Sequence, residues 1–154
     1  MPFAAPSGPP PPAGRLLAVD WGERRIGVAL SDETQTLAQP LATLTRRAGK
    51  RFPMGSLLAL LHEHAAAGIV VGLPLEPEGT EGLAAREVRA LADLIGRRTS
   101  VPVALWDERL TTARALRAVR ALGGSTRGRA GDVDALAAAV LLQHYLDARR
   151  GTAL

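Results

Sequence analysis

The chain has 154 residues, no cysteine, 19 basic against 15 acidic side chains and a formal net charge of +4 at pH 7. This length suits one domain with a core of its own, and the absence of cysteine excludes disulfide frameworks, zinc–thiolate sites and a cysteine nucleophile. With two tryptophans, one tyrosine and two phenylalanines, the chain has too few rings to recognise single strands mainly by base stacking.

The first 14 residues contain no charged side chain and six of the 11 prolines. They lack the basic start and continuous apolar segment of a signal peptide, so we predict a disordered tail followed by one domain over residues 15–150. No run of about 18 apolar residues is present, so no transmembrane helix is expected. We therefore expect a soluble, cytoplasmic protein with no membrane partner.

The first half of the domain is predicted to form three antiparallel strands. Residues 15–20 are a short apolar run, and residues 21–25 are typical of a turn. Residues 26–31 alternate as the second arm of a hairpin. Residues 36–44 form a third strand at a sheet edge, because they contain Pro40.

The second half alternates helices and strands. Helical spacing of apolar residues predicts a helix from Met54 that Gly68 ends, and the apolar run that follows predicts a buried parallel strand. This parallel strand spans residues 69–73, and a loop over 74–82 follows it. After the loop come a helix over 83–98, a strand over 101–106 and a helix over 111–122. A basic loop over 123–131 leads into the last helix, over 132–149. This order predicts one mixed five-stranded α/β sheet with helices on both faces.

Three acidic residues give the clearest chemical signal. Asp20 ends the first strand, Glu108 follows the last strand, and Asp134 lies in the first turn of the last helix. The carboxyl ends of strands are where α/β sheets bind ligands, and carboxylates gathered there need a cation. Oxygen ligands without histidine or cysteine favour Mg²⁺ or Mn²⁺. Two such ions, about 3.5 to 4 Å apart, can activate a water and stabilise the leaving oxygen of a phosphodiester.

Plainer interpretations of these acids stay open at this point. Asp20 stands before Gly22, an arrangement that is also typical of a residue opening a turn. Glu108 stands beside Arg109, which is also typical of a surface ion pair.

Asp107 and Asp132 are secondary acidic candidates. Asp107 alternates with Glu108 at the strand end, so we expect only one of the two to face the site. Asp132 and Asp134 are separated by about 200° around a helix and cannot share a face. We therefore interpret Asp132 as the N-cap of the last helix, or as a helper of Asp134, and Asp134 as the ligand.

Arginine accounts for all the basic residues except Lys50. The guanidinium group is planar and permanently charged and binds phosphate oxygens, so the preference for arginine over lysine fits a phosphate-rich partner. The nucleotide composition of the gene, or arginines on solvated helix faces, explains this preference equally well. The predicted nucleic-acid contacts lie near the acids, and for several of them a solvated turn or a helix cap is the alternative: Arg24, Arg25, Arg109, Thr111, Thr112, Arg127 and Arg129.

Four segments, in this order, resemble the motifs of the YqgF/RuvX family of bacterial ribonuclease H-like proteins: LAVDWGERRIGVALSD, IVVGLPL, LWDERLTTARAL and DVDALAAAVLLQHYLD. The resemblance implies a ribonuclease H-like fold. It also implies a metal-dependent nuclease related to Holliday junction resolvases and associated with maturation of the 5′ end of pre-16S rRNA. By motif matching, the strand-one aspartate falls on Asp20, the DER glutamate on Glu108 and the final-helix aspartate on Asp134.

We therefore predict a two-metal hydrolase, an endonuclease rather than an exonuclease, that acts on structured or precursor rRNA. The alternative is a Holliday junction resolvase acting on branched DNA, whose paired cuts require a homodimer, whereas an rRNA-trimming enzyme can be a monomer. An Asp-x-Gly sequence before a hairpin also occurs at the start of sugar-kinase and actin-like ATPase domains. Those proteins bind nucleotide between two such domains, whereas 154 residues supply only one, which argues against this function. A non-catalytic nucleic-acid adaptor is the third class.

Overall fold

The computed structural model describes residues 13–22, 24–46, 52–110 and 130–151. The predicted helix over residues 111–122, and the predicted tail apart from residues 13 and 14, lie outside these ranges. The described elements, in chain order, are β1 (Leu16–Asp20), β2 (Arg25–Ser31), β3 (Ala38–Thr45), α1 (Met54–Glu63), β4 (Gly68–Leu73), α2 (Leu83–Arg98), β5 (Val103–Asp107), a 3₁₀ turn (Glu108–Leu110) and α3 (Ala130–Arg149).

The five strands form one mixed sheet in the order β3-β2-β1-β4-β5. β1 pairs antiparallel with β2 and parallel with β4. β2 pairs antiparallel with β3, and β4 pairs parallel with β5. The predicted arrangement of three antiparallel strands followed by parallel strands is therefore confirmed, and β1, the strand that ends in Asp20, is central.

Different helices cover the two faces of the sheet. One apolar cluster joins odd-numbered residues of β1, such as Val19, to Leu57 of α1 and Val88 of α2. The other joins Leu16 and Ala18 of β1 to α3. Since side chains alternate between the faces of a strand, the even-numbered residues of β1 point toward α3. Within the described residues, no helix combines the length and apolar composition needed to cross a bilayer.

α1 ends earlier than the sequence suggests. It stops at Glu63, whereas Gly68, the predicted stop, is the first residue of β4. The backbone N–H groups of Ala65 and Ala66 donate to carbonyls three and five residues earlier, at 3.1 and 3.0 Å, which is the Schellman pattern. Ala65 has a φ of 50°, so an alanine occupies the left-handed position usually held by glycine.

The last strand and the last helix also begin at other residues than predicted. β5 starts at Val103 rather than at residue 101, because Pro102 has no N–H to donate to the ladder. The carbonyl of Pro102 still accepts the N–H of Ile69, at 3.0 Å. α3 is already helical at Ala130, so Asp132 lies inside its first turn, and the interpretation of Asp132 as the N-cap is wrong.

Candidate functional site

The three acids singled out in the sequence lie at one end of the sheet, on the face that α3 covers. Asp20 is the last residue of β1 and continues the alternation of Leu16 and Ala18, which pack against α3. The exposed fractions of Asp20, Glu108 and Asp134 are 2%, 2% and 5%. Carboxylates are seldom buried to this degree unless an opposite charge, a hydrogen-bond network or a metal compensates them.

Gly27 of β2 brings Asp134 next to Asp20. It is the residue of β2 that lies directly opposite Asp20 in the antiparallel ladder. A Cβ built on Gly27 would overlap the backbone carbonyl oxygen of Asp134, so the α3 backbone lies directly on the strand at this point. Only glycine permits this approach, and it sets Asp134 beside the end of β1.

Gly72 of β4 does the same for Glu108 on the other side of β1. The parallel register of β1 with β4 places Gly72 next to Asp20. A Cβ on Gly72 would be 3.4 Å from Oε2 of Glu108 and 2.9 Å from Cδ2 of Leu141. Glu108 therefore folds back over β4, and the glycine leaves room for its carboxylate. Together, Gly27 and Gly72 flank Asp20 with the two other acids.

This set of acids fits a hard divalent cation by its donor chemistry, because all three side chains offer carboxylate oxygens. Their positions do not make a ready site: within the described residues, no three acidic or histidine side chains stand close enough together to hold a metal ion. The prediction that Asp20, Glu108 and Asp134 are metal ligands stays a prediction.

The secondary acidic candidates are Asp107, at the end of β5, and Asp132, in α3. Asp107 pairs with Arg109, with 2.8 Å between Oδ2 and Nη2, while the neighbouring Glu108 turns over β4. The expectation that only one residue of that pair faces the site stays a prediction. Asp132 lies in the first turn of α3, and Asp134 follows in the next turn rather than in the first.

The predicted basic contacts are only partly described. Arg24 is exposed, and Arg25, the first residue of β2, is half-buried. Arg46, which the sequence reasoning missed, lies with its guanidinium carbon 4.2 Å from the centre of the Trp21 ring, and its N–H donates to the carbonyl of Arg24 at 2.8 Å. The remaining predictions fall outside the described residues: Thr111, Thr112, Arg127 and Arg129.

Arg109, another predicted nucleic-acid contact, is hydrogen-bonded within the chain. Its Nε donates to both carboxylate oxygens of Asp107, at 3.1 and 3.2 Å. Its Nη1 donates to the carbonyl of Pro77 at 2.9 Å. The hydrogen bonds to Asp107 raise the pKa of Arg109 above its usual value. Sequence reasoning could foresee the charge of Arg109 but not these partners.

The sequence of the chain is similar to one protein family and to several named proteins. The family described as "RuvX: Holliday junction resolvase" matches residues 14–148. A protein of Anaeromyxobacter sp. (strain Fw109-5), named "Putative pre-16S rRNA nuclease", is 45% identical over 135 residues, which are 88% of this chain and 98% of that protein. A protein of the same name from Rhodospirillum rubrum is 44% identical over 141 residues, which are 90% of this chain and 86% of that protein.

A solved structure resembles the fold. Thermus thermophilus RuvC in complex with a Holliday junction substrate superposes with a TM-score of 0.53 at 18% identity, covering 90% of this chain and 97% of RuvC. At this identity the likeness concerns the fold, and it confirms the predicted ribonuclease H-like architecture. The family match covers nearly all of the described domain and all three acids. The chain therefore belongs to the RuvX family.

Proposed function

We propose that this chain is a divalent-metal-dependent nuclease that cleaves phosphodiester bonds in structured RNA, with precursor 16S rRNA as its substrate. The observation that carries the proposal is the burial of Asp20, Glu108 and Asp134 at one end of the same sheet face. Relatives named as pre-16S rRNA nucleases at 40% identity and above support the choice of substrate. A precursor-rRNA substrate also implies a cytoplasmic location, which we propose on the same grounds.

Asp20 would hold both ions of a Mg²⁺ or Mn²⁺ pair, since it lies between the other two acids, and Glu108 and Asp134 would hold one ion each. When bound, the ions supply an activated water and charge stabilisation for the leaving oxygen. The chain itself keeps bulk water away from the three carboxylates. Gly27 leaves room for the α3 backbone at Asp134, and Gly72 leaves room for the carboxylate of Glu108. We expect internal rather than terminal cleavage.

Replacing Asp20 by asparagine tests this proposal. Asp20→Asn keeps the size of the side chain but removes its charge, so cleavage of precursor rRNA with Mg²⁺ or Mn²⁺ should fall at least about 100-fold. Asp93→Asn is the matched control, because Asp93 is exposed on α2, and it should cleave like the wild type. Cleavage that survives in Asp20→Asn, or that persists when the divalent cation is chelated, would refute the assignment.

Resolution of branched DNA is the second candidate function, favoured by the family description "Holliday junction resolvase". Symmetric paired cuts require two active sites related by a two-fold axis. A resolvase should therefore sediment as a dimer and prefer a four-way junction in competition with precursor rRNA at one fixed salt concentration. A monomer that prefers the precursor rRNA supports the rRNA function.

A further inference from the structure

Arg109 joins two separate segments of the chain, the loop that follows β4 and the turn that carries Glu108. On the loop side, its Nη1 donates to the carbonyl of Pro77 at 2.9 Å and lies 3.4 Å from the carbonyl oxygen of Glu76. On the other side, its Nη2 donates to Asp107 at 2.8 Å. One guanidinium thus ties residues that are about 30 positions apart in the sequence.

The same Asp107 carboxylate also caps the 3₁₀ turn. Its Oδ1 accepts the backbone N–H of Arg109 at 2.9 Å, which is the hydrogen bond that an N-cap side chain makes to the second residue of a helix. Glu108 is the first residue of this turn, and its Oε2 lies against Gly72. We therefore expect that release of the Asp107 carboxylate changes the direction in which Glu108 points.

The loop is shaped to receive the guanidinium. Gly79 has a φ of 93°, and a Cβ at this position would lie 3.5 Å from Nη1 of Arg109. The N–H of Gly79 donates to the carbonyl of Glu76 at 2.8 Å, and the N–H of Glu76 donates to the carbonyl of Thr80 at 2.9 Å. The loop backbone closes on itself and presents its carbonyl oxygens to Arg109.

We propose that Asp107 and Arg109 are positioning residues that form a clamp: they hold Glu108 in place and fix the loop over residues 74–82 beside it. The catalytic consequence of the clamp rests on the proposed nuclease function. A lysine cannot replace Arg109, because its single ammonium group cannot bind the Asp107 carboxylate in two directions and reach Pro77 as well. This role differs from phosphate binding, for which Arg109 would have to release these hydrogen bonds.

Two clamp variants and one matched control test the proposal in the full chain. Arg109→Lys keeps the charge and loses the planar fork, and Asp107→Asn keeps an acceptor for the cap and loses the ion pair. Arg89→Lys is the control, because Arg89 also pairs with a carboxylate through two hydrogen bonds. It binds Glu81, at the far end of the same loop, with both N–O distances 2.6 Å.

The first measurement is amide hydrogen exchange without substrate or metal. The N–H groups of Glu76 and Gly79 should exchange at least about 10-fold faster in Arg109→Lys than in the wild type, because the loop loses its anchor. Arg89→Lys should leave both rates unchanged. Unchanged rates in Arg109→Lys would overturn the clamp, whether or not the protein cleaves RNA.

The second measurement is steady-state cleavage of precursor rRNA, below the unfolding temperature of every variant. Arg109→Lys and Asp107→Asn should lower kcat about 10- to 100-fold, with KM changed less than about 3-fold and its salt dependence unchanged. A higher KM with a salt slope smaller by about 0.7 to 0.9 would indicate a lost phosphate contact and overturn the positioning role. A wild type that cleaves nothing refutes the nuclease function, and the exchange rates then decide the clamp.

Discussion

At the scale of single residues, the acidic site depends on two glycines as much as on its carboxylates. Gly27 allows the α3 backbone to lie on β2 at Asp134, and Gly72 leaves space for Glu108. Glycine in a strand interior weakens the strand, so its presence in the two strands that flank Asp20 has a local cause. The cause is close packing at the end of the sheet, where the α3 backbone lies on Gly27 and the side chains of Leu141 and Glu108 lie on Gly72.

Gly27→Ala should therefore lower the free energy of unfolding by about 3 kcal/mol or more. The added methyl meets a backbone carbonyl, that of Asp134, which can move only together with α3. Gly72→Ala should cost less, because its new Cβ meets the flexible end of Leu141 at 2.9 Å, yet it should reduce cleavage by displacing Glu108. Urea unfolding and cleavage rates measure the two effects.

Gly55→Ala provides the control for these two variants. Gly55 lies on the exposed side of α1, and no described atom outside its own helix turn lies within 4 Å of the added Cβ. Alanine has less conformational freedom in the unfolded chain, so the free energy of unfolding of this variant should rise by about 0.5 kcal/mol. A Gly27→Ala protein as stable as Gly55→Ala would show that α3 does not press on β2 in solution.

His144 gives the fold a dependence on pH. Its Nδ1 accepts the indole N–H of Trp106 at 3.0 Å, and burial lowers the pKa of His144 below its usual value of 6.5, outweighing the opposite effect of Asp147. The unfolded chain therefore takes up this proton first as the pH falls. The contribution of neutral His144 to the free energy of unfolding is complete above about pH 6.5. It is lost as the pH falls from there through the pKa of His144 in the folded protein.

His144→Gln removes this titration and keeps an acceptor for Trp106. The stability difference between the wild type and His144→Gln should shift against the wild type as the pH is lowered from about 7.5 to about 5, measured by urea unfolding. His62→Gln, at an exposed position near the end of α1, is the control for a histidine outside the core. A stability difference that stays constant over this range would contradict the lowered pKa of the half-buried His144.

At the scale of elements, the end of α1 carries a local strain that a substitution can relieve. Ala65 occupies the left-handed position of the Schellman motif with a φ of 50°, which costs a residue with a Cβ about 1 kcal/mol or more. Ala65→Gly removes that cost, partly offset by the greater freedom of glycine in the unfolded chain.

Ala65→Gly should therefore raise the free energy of unfolding by about 0.5 kcal/mol. The same substitution at Ala59, an exposed interior position of α1, should lower it by about 1 kcal/mol. Thermal or urea unfolding tests this, because the free energy of unfolding should change in opposite directions in the two variants. If both variants are destabilised, the left-handed position is not strained.

Element boundaries show what the sequence could and could not predict. The periodic apolar face of α2 gave its observed range, Leu83–Arg98, because four turns of regular spacing leave little choice. The end of α1 was wrong, because an alanine in the left-handed region carries no sequence signal. The start of α3 was wrong because capping rules favour Asp132, whereas the helix is already formed at Ala130.

At the scale of the whole molecule, the placing of the acids on one sheet face was within reach of the sequence. Asp20 follows the period-two pattern of Leu16 and Ala18, and the parallel strands bring Glu108 to the same edge. The contact of Arg109 with Pro77 was not predictable, because the conformation of the loop sets it. Gly27 was recognisable as a strand glycine, but its partner on α3 was not, since that depends on how the helix docks.

The proposal that Asp20, Glu108 and Asp134 bind a common metal ion is best tested by diffraction. Crystals of the full chain soaked in Mn²⁺ should show anomalous density with carboxylate oxygens of Asp20, Glu108 and Asp134 about 2.0 to 2.6 Å away, the range for hard cations. Mn²⁺ bound elsewhere, or absent from a protein that still cleaves precursor rRNA, would contradict the assignment of these three residues.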